Sequence, residues 1–319
     1  MRAVTMTGIN EIAAGVRPDP TPGPDEVLVR VEASAVCRTD LQILRGDLAP
    51  HRLPLIPGHQ VVGTNVETGE RVGLVWLAQT CGGCRFCLTG RENLCDSARF
   101  TGWDRDGGYA ELVTAHREFV HPLPAGDPLA LAPLLCGGVI GFRSLRVAGL
   151  GPHSAGVRLG LFGFGASATI AIQVARFWGC ECYVVTRSHS EAERALELGA
   201  AWAGTYEQTL PVHLDAAVTF APSGDVVVSA IKALDKGGTV AINAIHLDRI
   251  PEFSYDHLWW ERSVRSVANV TRSDVRDFLE IVPRAPITTQ FEVLPLDAAP
   301  LALERLEASD VRGAFVLHV

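Results

Sequence analysis

The chain has 319 residues, enough at roughly 150 per domain for about two domains, each able to bury a core of its own. Hydrophobic residues make up 47% and charged residues 20%, which argues against disorder, and no apolar run approaches the roughly 20 residues of a bilayer-spanning helix. The formal net charge is -8 with no basic block, which argues against nucleic acid or an anionic membrane as partner, because phosphate-binding surfaces are basic.

The first third is rich in Gly and Pro and carries short β-like runs at 26–33 and 72–77. Turn signals at 18–24 and 53–58 separate them, predicting a mostly β domain. From about residue 138 strands and helices alternate. Strands are expected at 157–162, 181–186, 215–220, 238–243 and 264–268, with a weaker one at 201–203, and helical patterns fall at 166–178, 190–198, 223–234 and 272–282. That alternation implies βαβ crossovers and a doubly wound parallel sheet. Runs at 291–296 and 313–319 around a helix at 297–308 return the tail to the first domain. The expected fold class is α/β, with one domain formed by 1–137 plus 268–319 and the other by 138–267. The first eight residues lack the apolar stretch and cleavage site of a signal peptide, so a cytoplasmic protein is expected.

Eight cysteines fall at 37, 81, 84, 87, 95, 136, 180 and 182, too clustered for the disulfide framework of a small secreted domain. Cys81, Cys84, Cys87 and Cys95 lie in CGGCRFCLTGRENLC, a C-x2-C-x2-C-x7-C spacing. Four thiolates so close together can wrap one zinc tetrahedrally and leave no open position, so this loop is expected to be a staple. A redox dithiol would sit at a helix start beside a strand, and a nucleic-acid zinc ribbon would bring more basic residues than Arg85 and Arg91.

Residues 157–168 read VRLGLFGFGASA, a glycine-rich turn after a predicted strand and before a predicted helix, the context that gives a dinucleotide fingerprint its meaning. Gly163 makes the turn, Gly165 lets the backbone approach a pyrophosphate, and Ala168 takes the place of the third glycine. After the next strand, where an acid would hold the ribose hydroxyls of NAD, stands Arg187. Arginine can pair with a 2'-phosphate, which favours NADP over NAD. The alternative is that Arg187 stacks on adenine while Ser188 or backbone groups hold the ribose.

Three other segments carry scattered donors: Cys37 in VCRTDLQ, His59 in PGHQVVG and Cys136 in APLLCGGVIG. Alone, such a Cys is usually a small buried hydrophobe and such a His a core or surface residue. Taken in order with the four-cysteine loop and the glycine-rich turn, they resemble the zinc-dependent medium-chain alcohol dehydrogenases, especially the propanol-preferring, yeast-like bacterial members. The likeness runs nearly the whole chain. It implies a GroES-like catalytic domain beside a Rossmann domain, two zinc ions per chain and a homodimer or homotetramer. It also implies that Cys37, His59 and Cys136 hold a catalytic zinc with its fourth position open. By the same resemblance Thr39 is the proton acceptor from the alcohol and Asp40 orients His59, although both could simply cap the helix that follows. Arg38 is similar to an arginine that reaches the pyrophosphate, and Asn243 and Asn269 to residues lining the nicotinamide. Trp76 resembles a bulky residue that narrows the pocket toward short primary alcohols and aldehydes, with core packing as the plain alternative.

Two positions depart from the family's commonest pattern. Gln60 follows His59 where many relatives carry Glu, and Gln42 stands where many have the His that ends a proton relay. The turn at 63–72 is also shorter than usual for the family. Two competitors stay open: a relative acting on polyols or bulkier aldehydes, against which Trp76 argues, and a zinc-stapled nucleotide sensor without turnover, for which these departures are the support.

Overall fold

The structure is a computed structural model that describes the whole chain apart from residues 245, 246 and 248. It divides into two compact units. One comprises Met1–Cys136, Asn269–Pro283 and Thr288–Val319; the other comprises Gly137–Ala268 and Arg284–Ile287.

The first unit is built on a mixed sheet. Its strands run in the order Phe291–Pro295, Ala314–His318, Glu26–Ala35, Gln60–Asn65, Arg71–Leu74 and His121–Pro122, and Leu112–His116 also pairs with Glu26–Ala35. The sequence alternation explains the long central strand, because Val27, Val29 and Val31 all point into one core with Val61, Val72, Leu74 and Val113. A hairpin of Arg2–Gly8 and Glu11–Val16, which the run pattern does not predict, brings Val4 and Met6 into a second core with Ile43, Leu55, Tyr109 and Phe315. The run expected at 72–77 breaks in two, Arg71–Leu74 and Leu77–Gln79. Thr101 accounts for the break, because its hydroxyl donates to the Val75 carbonyl at 2.8 Å and its N–H to the Trp76 carbonyl at 2.9 Å.

The second unit is a six-stranded parallel sheet in the order Trp202–Thr205, Glu181–Thr186, Arg158–Phe162, Leu214–Thr219, Leu234–Ile242 and Ser263–Ser266. Every neighbouring pair is parallel. In sequence order this is 3-2-1-4-5-6, the doubly wound arrangement whose order reverses beside its first strand. Leu159, Leu161, Val184 and Val218 are fully buried, as expected of strands covered on both faces. The helix Gly137–Val147 escapes propensity because of its three glycines, at 137, 138 and 141. Among the described residues, no single helix is long and apolar enough to cross a membrane.

Candidate metal centres and dinucleotide turn

Cys37 stands where the central strand of the first unit gives way to the helix Arg38–Arg45, and it is that helix's N-cap. Asp40, at the third helical position, accepts from the Cys37 N–H through Oδ2 at 2.9 Å and closes a capping box. Its other oxygen, Oδ1, lies 2.9 Å from His59 Nδ1. An ionised carboxylate can only accept, so Nδ1 carries a proton and Nε2 is the ring nitrogen that could turn to a metal. The capping and orienting readings of Asp40 are therefore the same geometry. A residue that sequence reasoning missed completes it: the buried Tyr109 hydroxyl donates to Asp40 Oδ2 at 2.9 Å. The signal available was the Gly-Gly-Tyr run, since a Cβ on Gly107 would lie 2.0 Å from the Gly58 carbonyl oxygen. That close approach lets Gly108 and Tyr109 donate to the carbonyls of Gly58 and Pro57, just ahead of His59.

The ligating atoms of Cys37, His59 and Cys136 all lie within 4.8 Å of one another. A hydrogen bond from Cys136, reinforced by the nearby His59, holds the Cys37 thiol well below its ordinary range. The same bond and burial push Cys136 well up. Burial pulls the His59 imidazole down, but Asp40 and Cys37 outweigh it and hold its pKa at about 10. Thr39 is buried with its hydroxyl 3.8 Å from the Cys37 sulfur. The Gln60 amide donates to the Ala35 carbonyl at 3.3 Å. Trp76 meets the His59 ring edge-on, with centroids 4.9 Å apart, and stacks on Phe100 and Trp103.

The four-cysteine loop gathers its thiols as its spacing predicts. Cys84 and Cys87 sulfurs are 3.5 Å apart, Cys81 and Cys95 3.5 Å, and Cys81 and Cys87 3.9 Å. Backbone N–H groups of Gly83 and Cys84 aim at the Cys81 sulfur and lower its pKa to about 6, whereas burial raises Cys95 to about 11.

In the second unit, Gly163 follows the strand Arg158–Phe162 at φ +89°, and a Cβ there would lie 2.9 Å from the Ala221 nitrogen. Gly165 is the N-cap of the helix Ala166–Phe177, and nothing lies within 4 Å of where its Cβ would be. The helix thus opens onto free space with its first N–H groups unsatisfied, a cradle for phosphate. Ala168 is fully buried beneath it. Arg187 is exposed just after the strand Glu181–Thr186. Ser188 is taken up as the N-cap of the next helix, where it accepts from the Glu191 N–H at 3.1 Å. Sequence reasoning does not single out Glu191, yet its carboxylate accepts from the Thr186 hydroxyl at the same strand end. Asn243 follows the strand Leu234–Ile242 and is tied through its N–H to the Thr219 carbonyl. Arg38, exposed on its helix, and Asn269, at φ +52°, belong to the first unit.

Comparison with known proteins decides the family. Residues 23–125 match the family described as alcohol dehydrogenase GroES-like domain, and residues 168–284 match the one described as zinc-binding dehydrogenase. A protein described as "probable alcohol dehydrogenase AdhA", from Mycobacterium tuberculosis, is 48% identical over 94% of this chain and 90% of its own length. The chain belongs to the zinc-dependent medium-chain alcohol dehydrogenases.

Solved structures agree on the fold. One titled NAD-dependent alcohol dehydrogenase superposes with a TM-score of 0.87 at 25% identity, covering 100% of both chains. A zinc-binding dehydrogenase from Sinorhizobium meliloti bound to NADP does so with a TM-score of 0.87 at 25% identity, covering 100% of this chain and 99% of its own. The family uses zinc and a nicotinamide cofactor, and the residues present fit both groups. A tetrahedron with zinc–sulfur bonds of about 2.3 Å has edges of about 3.8 Å, close to the sulfur separations of the loop. The dispersed set offers two sulfurs and one imidazole, the same donor types as a Cys2His catalytic zinc site of an alcohol dehydrogenase. The open cradle at Gly165 is the corresponding fit for a pyrophosphate.

Proposed function

We propose that this dehydrogenase interconverts short primary alcohols and aldehydes in the cytoplasm, using NADP in preference to NAD and holding two zinc ions per chain. The observation that carries the reading is the convergence of Cys37, His59 and Cys136 with Asp40 fixing the imidazole. Those three residues would hold the catalytic zinc, and Cys81, Cys84, Cys87 and Cys95 the structural one. When bound, zinc supplies a Lewis acid toward the alcohol oxygen, and the nicotinamide supplies the hydride acceptor or donor.

The protein's own residues do the rest. Asp40 keeps the His59 ring in the tautomer that presents Nε2. Thr39 Oγ1, buried beside the Cys37 sulfur, accepts the hydroxyl proton of the alcohol as it passes its own proton on, and relays it back in the reverse direction. Gln42 cannot titrate near neutral pH, so the proton continues to water by another route. Trp76, edge-on to His59 and backed by Phe100, limits the girth of the substrate. Gly163 and Gly165 admit the pyrophosphate, Ala168 packs the helix beneath it, and Arg38 keeps the role of pyrophosphate contact that the family resemblance implies. Arg187 pairs with the 2'-phosphate, and Ser188 serves chiefly as a cap. Asn243 and Asn269 line the nicotinamide. Gln60, held on the Ala35 carbonyl, puts a neutral amide where a carboxylate would raise the negative charge next to the metal. Thiol ligands suit a reducing compartment, and a homodimer or homotetramer is the expected assembly.

The test is the initial rate of reduction of a short linear aldehyde with NADPH and with NADH, on protein of measured zinc content. Turnover with NADPH preferred is the expected result. A preference for NADH overturns the reading of Arg187. No turnover with either cofactor, in protein holding both metals, replaces the enzyme with a nucleotide sensor.

A further inference from the structure

The four-cysteine loop is longer than holding a metal requires. Its first three cysteines are spaced by two residues each, whereas seven separate Cys87 from Cys95. The extra length forms the short 3-10 turn Glu92–Leu94. Glu92 within it is 4% exposed, an unusual place for a carboxylate unless charged or N–H partners hold it.

Those partners come from one segment far along the chain. Glu92 Oε1 accepts from the Arg272 N–H at 2.9 Å and from Arg272 Nε at 3.4 Å. Arg272 is the first residue of the helix Arg272–Ile281, so the carboxylate also meets the positive end of that helix. The same guanidinium pairs with Glu118 at 2.9 Å and lies over the Phe119 ring. Next to Glu92, the Asn93 carbonyl accepts from Asn269 Nδ2 at 3.4 Å. Asn269 is the residue at which the chain re-enters the first unit after Ala268, and its backbone is left-handed, at φ +52°. The bonds made by Glu92 and by the Asn93 carbonyl all join the loop to residues 269–272, and none is needed to gather the four sulfurs.

We infer that Glu92 is a positioning residue: through it and the Asn93 carbonyl, the four-cysteine loop sets where Asn269 presents itself to the nicotinamide. This rests on the reading of Asn269 as a nicotinamide contact. The loop is then part of the cofactor site's support as well as a staple. Its effect is expected on the nicotinamide half of the cofactor, the part that Asn269 is read as meeting.

The experiment measures dissociation constants by fluorescence titration for the preferred reduced cofactor, and by competition for the matching ADP-ribose, which lacks nicotinamide. Glu92→Ala, Glu92→Gln and Asn269→Ala are compared with the wild type, with zinc content determined for each. Glu92→Ala is expected to weaken cofactor binding about tenfold while ADP-ribose binding stays within about twofold, the loss expected for one charge-assisted hydrogen bond. Glu92→Gln keeps an acceptor oxygen for the Arg272 N–H and is expected to recover most of that loss. Equal weakening of both ligands, or unchanged cofactor binding in zinc-replete Glu92→Ala, reduces Glu92 to a packing role and overturns the inference. Should Glu92→Ala shed its loop zinc, Glu92→Gln carries the test, and recovery of wild-type selectivity by a zinc-replete Glu92→Gln is then the supporting result. An Asn269→Ala protein with wild-type affinities refutes the reading of Asn269 itself; an affected Asn269→Ala beside an unaffected zinc-replete Glu92→Ala refutes only the link through Glu92.

Discussion

Removing the Tyr109 hydroxyl should cost stability out of proportion to its size. Tyr109 is fully buried, and its O–H is one of three donors on Asp40, with the Cys37 N–H and His59 Nδ1 as the others. Tyr109→Phe keeps the ring and opens almost no cavity, so the change isolates the hydrogen bond. A bond to an ionised acceptor contributes about 1.5–3 kcal/mol. Asp40 Oδ2 retains the Cys37 N–H, which places the expected loss near the lower middle, about 2 kcal/mol, or about a 30-fold shift in the unfolding equilibrium. Equilibrium urea unfolding at fixed protein and buffered free zinc would measure it, with the slope of the transition compared between variants. In the proposed site Asp40 orients the ligand His59, and loss of such a partner commonly weakens metal binding by about 10–100-fold. Tyr109→Phe, which removes only one of that partner's supports, should stay at or below the lower end. A loss under about 0.5 kcal/mol with an unchanged slope would refute the claim that this hydroxyl supports the buried carboxylate.

Other outcomes follow from the same coordinates. Arg187→Ala should raise KM for NADPH at least about tenfold and leave NADH within about threefold, and parallel changes in steady-state kinetics would detach Arg187 from the 2'-phosphate. Cys84→Ser should halve the zinc content measured by elemental analysis and increase proteolytic nicking within 81–95, while the set at Cys37, His59 and Cys136 keeps its metal. Burial, aided by Arg272, lowers the pKa of His121 to about 4 from the ordinary 6.5. The unfolded chain therefore binds the extra proton first, so stability present above pH 6.5 is lost as pH falls toward 4, by up to about 3 kcal/mol. Replacing His121 with Gln should flatten that part of the pH–stability curve, and an identical curve in both proteins would show that His121 contributes nothing to acid sensitivity.

The parts of the site that were readable in advance are those whose chemistry is local. The four cysteines lie close together in sequence, so spacing alone foretells a cluster, and the glycine-rich turn is flanked by its own strand and helix. Cys37, His59 and Cys136 are different, because no local spacing links them and only the order of motifs along a familiar family did so. Tyr109 and Glu92 went unseen for the same physical reason: each acts by hydrogen bonding to one residue far away in sequence. Glu191 hid inside an ordinary capping turn. Among the elements, the strand Glu11–Val16 is exposed along nearly all its length and carries no alternation to read. The helix Gly137–Val147 forms against its glycine content because tertiary packing overrides propensity, with Gly141 allowing close approach to Ser167 and Ala171.

The place of the strand Ala314–His318 bears on how the chain matures during synthesis. It lies inside the sheet of the first unit, between Phe291–Pro295 and Glu26–Ala35. All seven residues of the two donor sets are made well before that strand, and so is the parallel sheet of the second unit. The pairing of Ala33, Ser34 and Ala35 with this strand therefore joins distant parts of the chain and forms only after both donor sets have been made.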